Sequence, residues 1–539
     1  MSVTYWSNLL TTDTFVLYIA GAMGTIASSL AAIKWLRVAQ REHYILTYTT
    51  KFALRWWSYK TARINTIAFA VGYFSAALQA REVVPLKVRV VLVGAVAVVA
   101  IVFPLGLSIR GRTSKLALTA RMKRLMLTLT CVYAVGLVAS FELSFVYLYL
   151  CLAPLLMPFL VEASLWLTRP IESRALSKFV TKAENKLKRN HPKVIAITGS
   201  FGKTTTKNYI ATLTRSSMTV LASPASFNNR AGLARTINEH LDASTELLVA
   251  EMGTFGHGEI ASLCSWIPPD VAVLCALGPV HLERFGSEDQ ILKAKLEITQ
   301  QAHTVVVNVD YPKLALAANS LELGGKKVMR VSDRDFSAYV SVKNNDEGQL
   351  VVYVEQRRIG AVDEGDISAG NLACAVAAAL AVGVTENALC ESLSEIKAPP
   401  NRLNAVVAGD VGVEILDDTY NSNPAGARRA LAALQRRVES GKRGVVVTPG
   451  MVELGHKQFI ENLRFAKAIA DVASILIIVG RTNQEALRQG AREGAAGSGA
   501  NLTQIVEVRT REAAVSWVRR YLSDRDVVLY ENDLPDHFP

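Results

Sequence analysis

Cysteine pairs, acidic residues in the first third, and a standard phosphate loop are all scarce or missing in this chain. The six cysteines are Cys131, Cys151, Cys264, Cys275, Cys374 and Cys390. None forms a C-x-x-C pair, and two lie in apolar stretches, so neither a disulfide framework nor a zinc site is expected. Acids are few at the start. Residues 1–190 hold 7 Asp+Glu against 23 Lys+Arg, whereas residues 191–539 hold 40 against 36. The net charge of +12 therefore comes from one end of the chain. Those basic residues bracket apolar stretches instead of forming a patch with interleaved aromatics, which argues against a nucleic-acid partner. No internal repeat or low-complexity tract occurs. The spacing G-x-x-x-x-G-K-[ST] is also absent: the residue five before Gly202 is Ile197.

What the first third does contain is long apolar runs. A membrane-spanning helix needs about 20 mostly apolar residues. Five candidate spans lie at roughly 14–36, 64–80, 88–109, 125–141 and 143–168. The first lacks a basic leading region, so a cleaved signal peptide is not expected. Positive charge concentrates in the first and third loops, from Lys34 to Arg63 and from Arg110 to Arg124. Positive loops favour the cytoplasmic side. With five spans, the N-terminus lies outside and everything after residue 168 lies in the cytoplasm, beneath a plasma membrane. Residues 169–192 read as a basic link, either lying along an anionic leaflet or running as a solvated helix.

From residue 193 the pattern changes to alternating strands and helices, expected for a mostly parallel α/β sheet. Strands are expected at 193–198, 247–251, 271–275 and 304–309, with helices at 203–215, 258–265 and 288–301. Short strands follow at 336–360, then an alanine-rich helix over 369–382. A second α/β pattern begins near residue 403.

The stretch "VIAITGSFGKTTTK", residues 194–207, has the order strand, glycine turn, helix. Backbone N–H groups at a helix start attract phosphate. Lys203 can reach terminal phosphates, and the Thr204 hydroxyl can hold Mg²⁺. Glu251 ends a strand expected nearby, and a carboxylate there can also hold Mg²⁺. His281 follows another strand, and Lys295 lies within a helix. Taken singly, a strand-end glutamate, a hydrogen-bonded histidine and a snorkelling lysine have ordinary structural explanations.

Five segments in order change that weighing: "GSFGKTTTK", "FNNRAG", "EMGTFGHGEI", "VHLERFGSEDQILKAKLEI" and "DDTYNSNP". Together they resemble the Mur ligase family, most closely its D-alanyl-D-alanine-adding (MurF-like) branch, over about residues 193–539. The resemblance implies a central P-loop ATPase domain at 193–400 and a Rossmann-like C-terminal domain at 401–539, behind the membrane helices of 1–168 and the link of 169–192. It implies ATP and Mg²⁺. Gly199, Ser200, Phe201, Gly202, Lys203, Thr204 and Thr205 would cradle ATP. Thr204 and Glu251 would hold one Mg²⁺, and His281 would help hold a second. Lys295 matches the lysine that the family carbamylates. Asn371 matches an adenine-contacting asparagine, and Arg402 and Asp418 match groups that close on ATP. Asn228, Asn229, Tyr420, Asn421 and Asn423 match substrate-side segments.

In this family ATP turns a carboxylate into an acyl phosphate, and an amine then displaces phosphate. Three departures stand out. Membrane helices occupy the place of the domain that binds a UDP-sugar. The "HN" before the adenine asparagine reads Ile367-Ser368, and the terminal "K-G-S-R" is replaced by "ENDLPDHFP". The expectation is a membrane-anchored amide ligase with a lipid-linked or membrane-held carboxylate acceptor and an amino acid or dipeptide donor, in cell-wall or envelope synthesis. A ligase for a poly-amino-acid capsule stays open. An ATP-driven transporter is disfavoured, since no LSGGQ-like signature occurs and Glu251 lies in "AEMG".

Overall fold

The computed structural model describes residues 12–58, 85–102, 107, 109, 116–365, 367–397, 404–407, 412–419, 423–497, 499–534 and 538. The chain divides into two compact units, one of residues 1–175 with 534–539, the other of residues 176–533.

The first unit is helical: α1 (Thr12–Arg41), α2 (Tyr48–Ser58), α3 (Leu86–Val102), α4 (Ala120–Glu142), α5 (Val146–Leu155) and the first half of α6 (Met157–Asn190). Glycine permits close helix approach here, since a Cβ on Gly24 would lie 2.9 Å from Leu150 Cβ. Ala20, Val93, Val96, Leu150 and Cys151 form the buried centre. Val91, Val98, Leu127, Val135 and Val138 are all more than half exposed.

Among the described residues, two helical stretches are long and apolar enough to cross a membrane, Leu17–Arg41 and Ala120–Glu142. The expected stretch at 64–80 lies outside the described residues. The one expected at 88–109 is a helix of 17 residues, α3. The one expected at 143–168 is broken: α5 and α6 meet at 83°. Pro158 has no N–H to give the carbonyl of Pro154, which interrupts the helical ladder there. The link expected at 169–192 belongs almost wholly to the continuous helix α6. Val180, Ala183 and Leu187 on its last turns are buried in the core of the second unit.

That second unit holds two sheets. In chain order its middle part comprises β1 (Lys193–Thr198), α7 (Lys203–Thr214), β2 (Val220–Ala222), α8 (Arg230–His240), β3 (Leu247–Glu251), α9 (Glu259–Cys264), β4 (Val271–Leu274), α10 (Leu282–Phe285), α11 (Glu288–Leu296), β5 (Thr304–Asn308), α12 (Pro312–Leu323), β6 (Lys327–Ser332), β7 (Val340–Asn344), β8 (Gln349–Val354), β9 (Arg357–Asp363), α13 (Ala369–Ala381) and α14 (Glu386–Leu393). The strands make one sheet ordered β2-β3-β1-β4-β5-β6-β7-β8-β9. It is parallel as far as β7 and antiparallel through β8 and β9. Strand β1 alternates its side chains between two cores: Ile195 and Ile197 face one, Val194 and Ala196 the other. Burial on both faces explains why these strands read as unbroken apolar runs.

The C-terminal part comprises β10 (Asn404–Val407), β11 (Glu414–Asp418), α15 (Pro424–Glu439), β12 (Arg443–Thr448), α16 (Gln458–Val472), β13 (Ile475–Val479), α17 (Gln484–Ala495), β14 (Gln504–Val508), α18 (Arg511–Tyr521) and β15 (Asp526–Glu531). Its sheet runs β10-β11-β15-β12-β13-β14, with only the β10–β11 pair antiparallel.

Candidate active site

In the middle sheet β1 pairs with β3 on one side and β4 on the other. Ligands of open α/β sheets bind beyond the carboxyl ends of strands at such a switch point. Three strand ends converge here. β1 leads into the loop 199–202, β3 ends in Glu251, and β4 leads to the segment 275–281.

The loop is shaped by close approach. A Cβ on Gly199 would fall 2.4 Å from Cys275 Sγ, and one on Gly202 would fall 2.4 Å from Asn371 Oδ1. Gly202 also has φ +81°, a left-handed conformation that glycine adopts without strain. Ser200 fastens the loop: its Oγ donates to the Gly278 carbonyl and accepts from the Gly278 N–H, each at 3.0 Å. Phe201 packs edge-on to Tyr311 at 6.0 Å. Lys203 and Thr204 open α7, and Thr205 is buried in its first turn.

Lys203 Nζ donates to the Gly199 carbonyl at 2.9 Å. Thr204 Oγ1 donates to Glu251 Oε2 at 2.8 Å, and Asn228 Nδ2 donates to Glu251 Oε1 at 3.1 Å. Lys207 Nζ lies 3.6 Å from Glu251 Oε2, with both side chains 2% exposed. Burial lowers the Lys207 pKa, and Glu251 partly offsets that shift. Lys207 stands in the quoted motif but drew no role from sequence; its place one turn after Lys203 was the available signal.

Lys295 is 6% exposed. Burial, with Lys203 adding repulsion, lowers its pKa to about 7. The Cys275 thiol beneath the loop is pushed up to about 11 by burial, which makes it an inert thiol. Lys203 at a helix start with a glycine cradle beside it, and a second amine near enough to repel it, suit a polyanion such as a nucleotide phosphate.

The Thr204 hydroxyl and Glu251 carboxylate are oxygen donors of the kind Mg²⁺ takes. Among the described residues no group of three or more His, Cys, Asp or Glu is placed to hold a metal. That donor set fits Mg²⁺ held jointly by one or two protein oxygens and a substrate's phosphates, not an all-protein cage.

His281, in a left-handed conformation at φ +58°, immediately precedes α10. Its Nδ1 pairs with Glu453 Oε2 from the loop after β12, and its ring meets Phe255 edge-on at 5.2 Å. Sequence reasoning missed Glu453, because 172 residues separate the partners and no local pattern joins them.

The remaining candidates divide. Asn371, 6% exposed on α13, lies against the glycine loop. Asn229 caps α8 by accepting from Gly232 N–H at 2.9 Å, and Asn423 caps α15 by accepting from Gly426 N–H at 3.0 Å. Asp418 ends β11 in the C-terminal sheet. Arg402, Tyr420 and Asn421 lie outside the described residues.

Comparison with known proteins agrees with this geometry. The family described as Mur ligase middle domain matches residues 197–381, and the one described as Mur ligase, glutamate ligase domain matches residues 401–530. The UDP-N-acetylmuramoyl-tripeptide–D-alanyl-D-alanine ligase of Mycobacterium tuberculosis (strain ATCC 25618 / H37Rv) is 32% identical over 382 residues, 66% of this chain and 73% of that protein. The crystal structure of MurF ligase from Thermotoga maritima in complex with ADP superposes with a TM-score of 0.56 at 25% identity, covering 66% of this chain and 80% of that one. MurF from Acinetobacter baumannii shares the fold, with a TM-score of 0.55 at 23% identity over 66% of this chain and 77% of that one. The chain belongs to the Mur ligase family and is an ATP-dependent carbon–nitrogen ligase.

Proposed function

We propose that this protein is a membrane-anchored peptide ligase of cell-wall or envelope synthesis, which joins an amino acid or dipeptide to a carboxylate acceptor held at the membrane. The observation that carries the chemistry is Lys203 with the Thr204–Glu251 pair at the start of α7, the Thr204 hydroxyl donating to Glu251 at 2.8 Å, and the buried amine of Lys295 near enough to feel the Lys203 charge. The anchoring rests on the apolar helices Leu17–Arg41 and Ala120–Glu142 and on the exposed valines and leucine of α3 and α4. The curated relatives' name supplies the class, a tripeptide acceptor extended by D-alanyl-D-alanine. The family match begins only at residue 197, which leaves the acceptor-binding part of this chain without that template.

The reaction has two displacements. An acceptor carboxylate oxygen attacks the γ-phosphorus of ATP; a P–O bond forms, the bond to ADP breaks, and an acyl phosphate results. The donor amine then attacks the acyl carbon. A C–N bond forms, the C–O bond breaks, phosphate leaves with the electron pair, and the amine gives up a proton.

Lys203 and the α7 N–H groups hold phosphate oxygens. By the family resemblance Asn371 would contact the base, and Asp418 and Arg402 would close on the nucleotide. Thr204 and Glu251 would hold one Mg²⁺, and the family resemblance assigns His281 and a carbamylated Lys295 to a second; bound there, the ions would neutralise developing charge on phosphate oxygens. Lys295 fits its family role as a carbamate. A buried amine with few charged partners loses its proton readily, and the neutral form adds to carbon dioxide, forming an N–C bond and releasing a proton. The product is an anion where a second cation would repel the metal.

The test is phosphate release by full-length protein against amino acids and dipeptides, with either a UDP-linked muramoyl peptide or membrane extract as acceptor. The expected result is amine-dependent release with membrane extract, and mass spectrometry of the product names both partners. Equal rates with the UDP-linked acceptor, before and after deletion of residues 1–168, would refute a membrane-held acceptor.

A further inference from the structure

We infer that Glu453 is a positioning residue for the reaction, holding the His281 imidazole from the C-terminal domain. This rests on the proposed metal role of His281. The contact is built from both sides. Glu453 Oε2 pairs with His281 Nδ1, and Arg284 Nη2 lies 3.6 Å from Glu453 Oε1. The Glu283 N–H points to the Glu453 carbonyl at 3.4 Å. Arg284 is also stacked over Phe255, its guanidinium 4.6 Å from the ring centre, while Phe255 meets the His281 ring. The imidazole is thus walled by Phe255 of the middle domain and by a carboxylate of the C-terminal domain.

Both residues sit in left-handed backbone, His281 at φ +58° and Glu453 at φ +63°. Neither is glycine, so each conformation carries strain. Two such residues meeting across a domain boundary point to a contact that the fold sustains for a purpose.

The purpose follows from histidine chemistry. A carboxylate at Nδ1 draws the proton to that nitrogen and leaves the lone pair on Nε2, the state in which histidine serves as a ligand. Glu453 belongs to the C-terminal domain, so His281 gains this tautomer and orientation only while that domain is docked on the middle one. Docking and metal competence become one event. A second ion pair across the same boundary, Lys457 Nζ to Glu288 Oε1 at 2.8 Å, touches neither partner and serves as a control.

The experiment measures Mn²⁺ affinity of the full chain by electron paramagnetic resonance with ADP present. Glu453→Ala should weaken Mn²⁺ binding about tenfold or more. Glu453→Gln, whose amide oxygen still accepts from Nδ1–H, should stay within about threefold. Lys457→Ala should leave affinity unchanged. ADP binding without metal should be the same in all three.

Equal losses in Glu453→Ala and Glu453→Gln would overturn the orienting role. So would an equal loss in Lys457→Ala, or a fall in metal-free ADP binding that tracks the Mn²⁺ loss, since either outcome marks general domain docking. His281→Ala separates the two readings. Unchanged Mn²⁺ affinity in that variant overturns the metal role of His281. A loss there with full affinity in Glu453→Ala overturns only the positioning role.

Discussion

The two sheets of the ligase unit both bury charge, and they treat it differently. Beneath the C-terminal sheet the buried carboxylates each have hydrogen-bond donors. Asp526, 1% exposed, accepts from Arg443 Nε at 2.6 Å and from the Ser523 N–H at 2.8 Å. Glu531 is fully buried and accepts from Thr448 Oγ1 at 2.8 Å. Beneath the middle sheet the balance runs the other way. Lys295 is buried beside Lys203, and Lys207 already draws on Glu251. An interior charge without its opposite is expensive. Matched groups can be left to architecture; a surplus of one sign marks a place where a ligand brings the other. That contrast separates nucleotide chemistry from scaffold within one fold.

Removing Lys203 should break the contrast most sharply. Lys203→Ala takes away a cation placed for phosphate and should lower ATP turnover at least about a hundredfold, with the helical unit unaffected. Turnover near that of the parent would show that the loop does not hold phosphate. Lys295→Ala should lose about a hundredfold as well, but here added short carboxylates should restore part of the rate, because they supply the anion that a carbamate would. Full activity without rescue would remove Lys295 from the metal site.

The middle sheet was the most legible part of the sequence. Strands β1 and β3 fall where the apolar runs place them, and β4 and β5 each end one residue short. Runs of Val, Ile and Ala buried on both faces stand out from the polar turns that bound them. The glycine loop carried its own signal, strand then turn then helix, whereas Glu251 and Lys295 drew roles only from the ordered motifs, since each alone reads as an ordinary strand-end acid or helix lysine. Glu453 was not, because its role depends on a contact between loops of two domains. Lys207 was visible but unassigned, since nothing local says which carboxylate a lysine will meet. In the helical unit, composition read the apolar character well and the helix boundaries poorly. Pro154 and Pro158 break one stretch into α5 and α6, and the basic link became the rest of α6.

The surplus charge should also show in stability. The Lys295 pKa is about 7 in the folded chain against an ordinary 10.5. Between those values the unfolded chain holds a proton that the folded one has released, so stability of nucleotide-free protein rises with pH from about 7 to about 10.5. The gain is at most a few kcal/mol. Thermal melts in bicarbonate-free buffer should show it, and Lys295→Met should flatten the rise. A parent protein whose melting temperature is flat over that window would mean Lys295 keeps its proton, and the middle sheet would then bury charge no less comfortably than its neighbour.

The smallest effect belongs to the matched side. Arg443 is half exposed, and Asp526 keeps its bond from the Ser523 N–H when the guanidinium goes. Arg443→Ala therefore removes one charge-assisted bond that water can partly replace, a loss of about 1 kcal/mol. In a domain of this size that lowers the melting temperature by about 2–4 °C. ATP turnover at a temperature well below the transition should stay at the parent level, because nothing near Asp526 waits for a ligand. A fall in turnover approaching that of Lys203→Ala would mean that matched and surplus charges serve the reaction alike, and the distinction between the two sheets would fail.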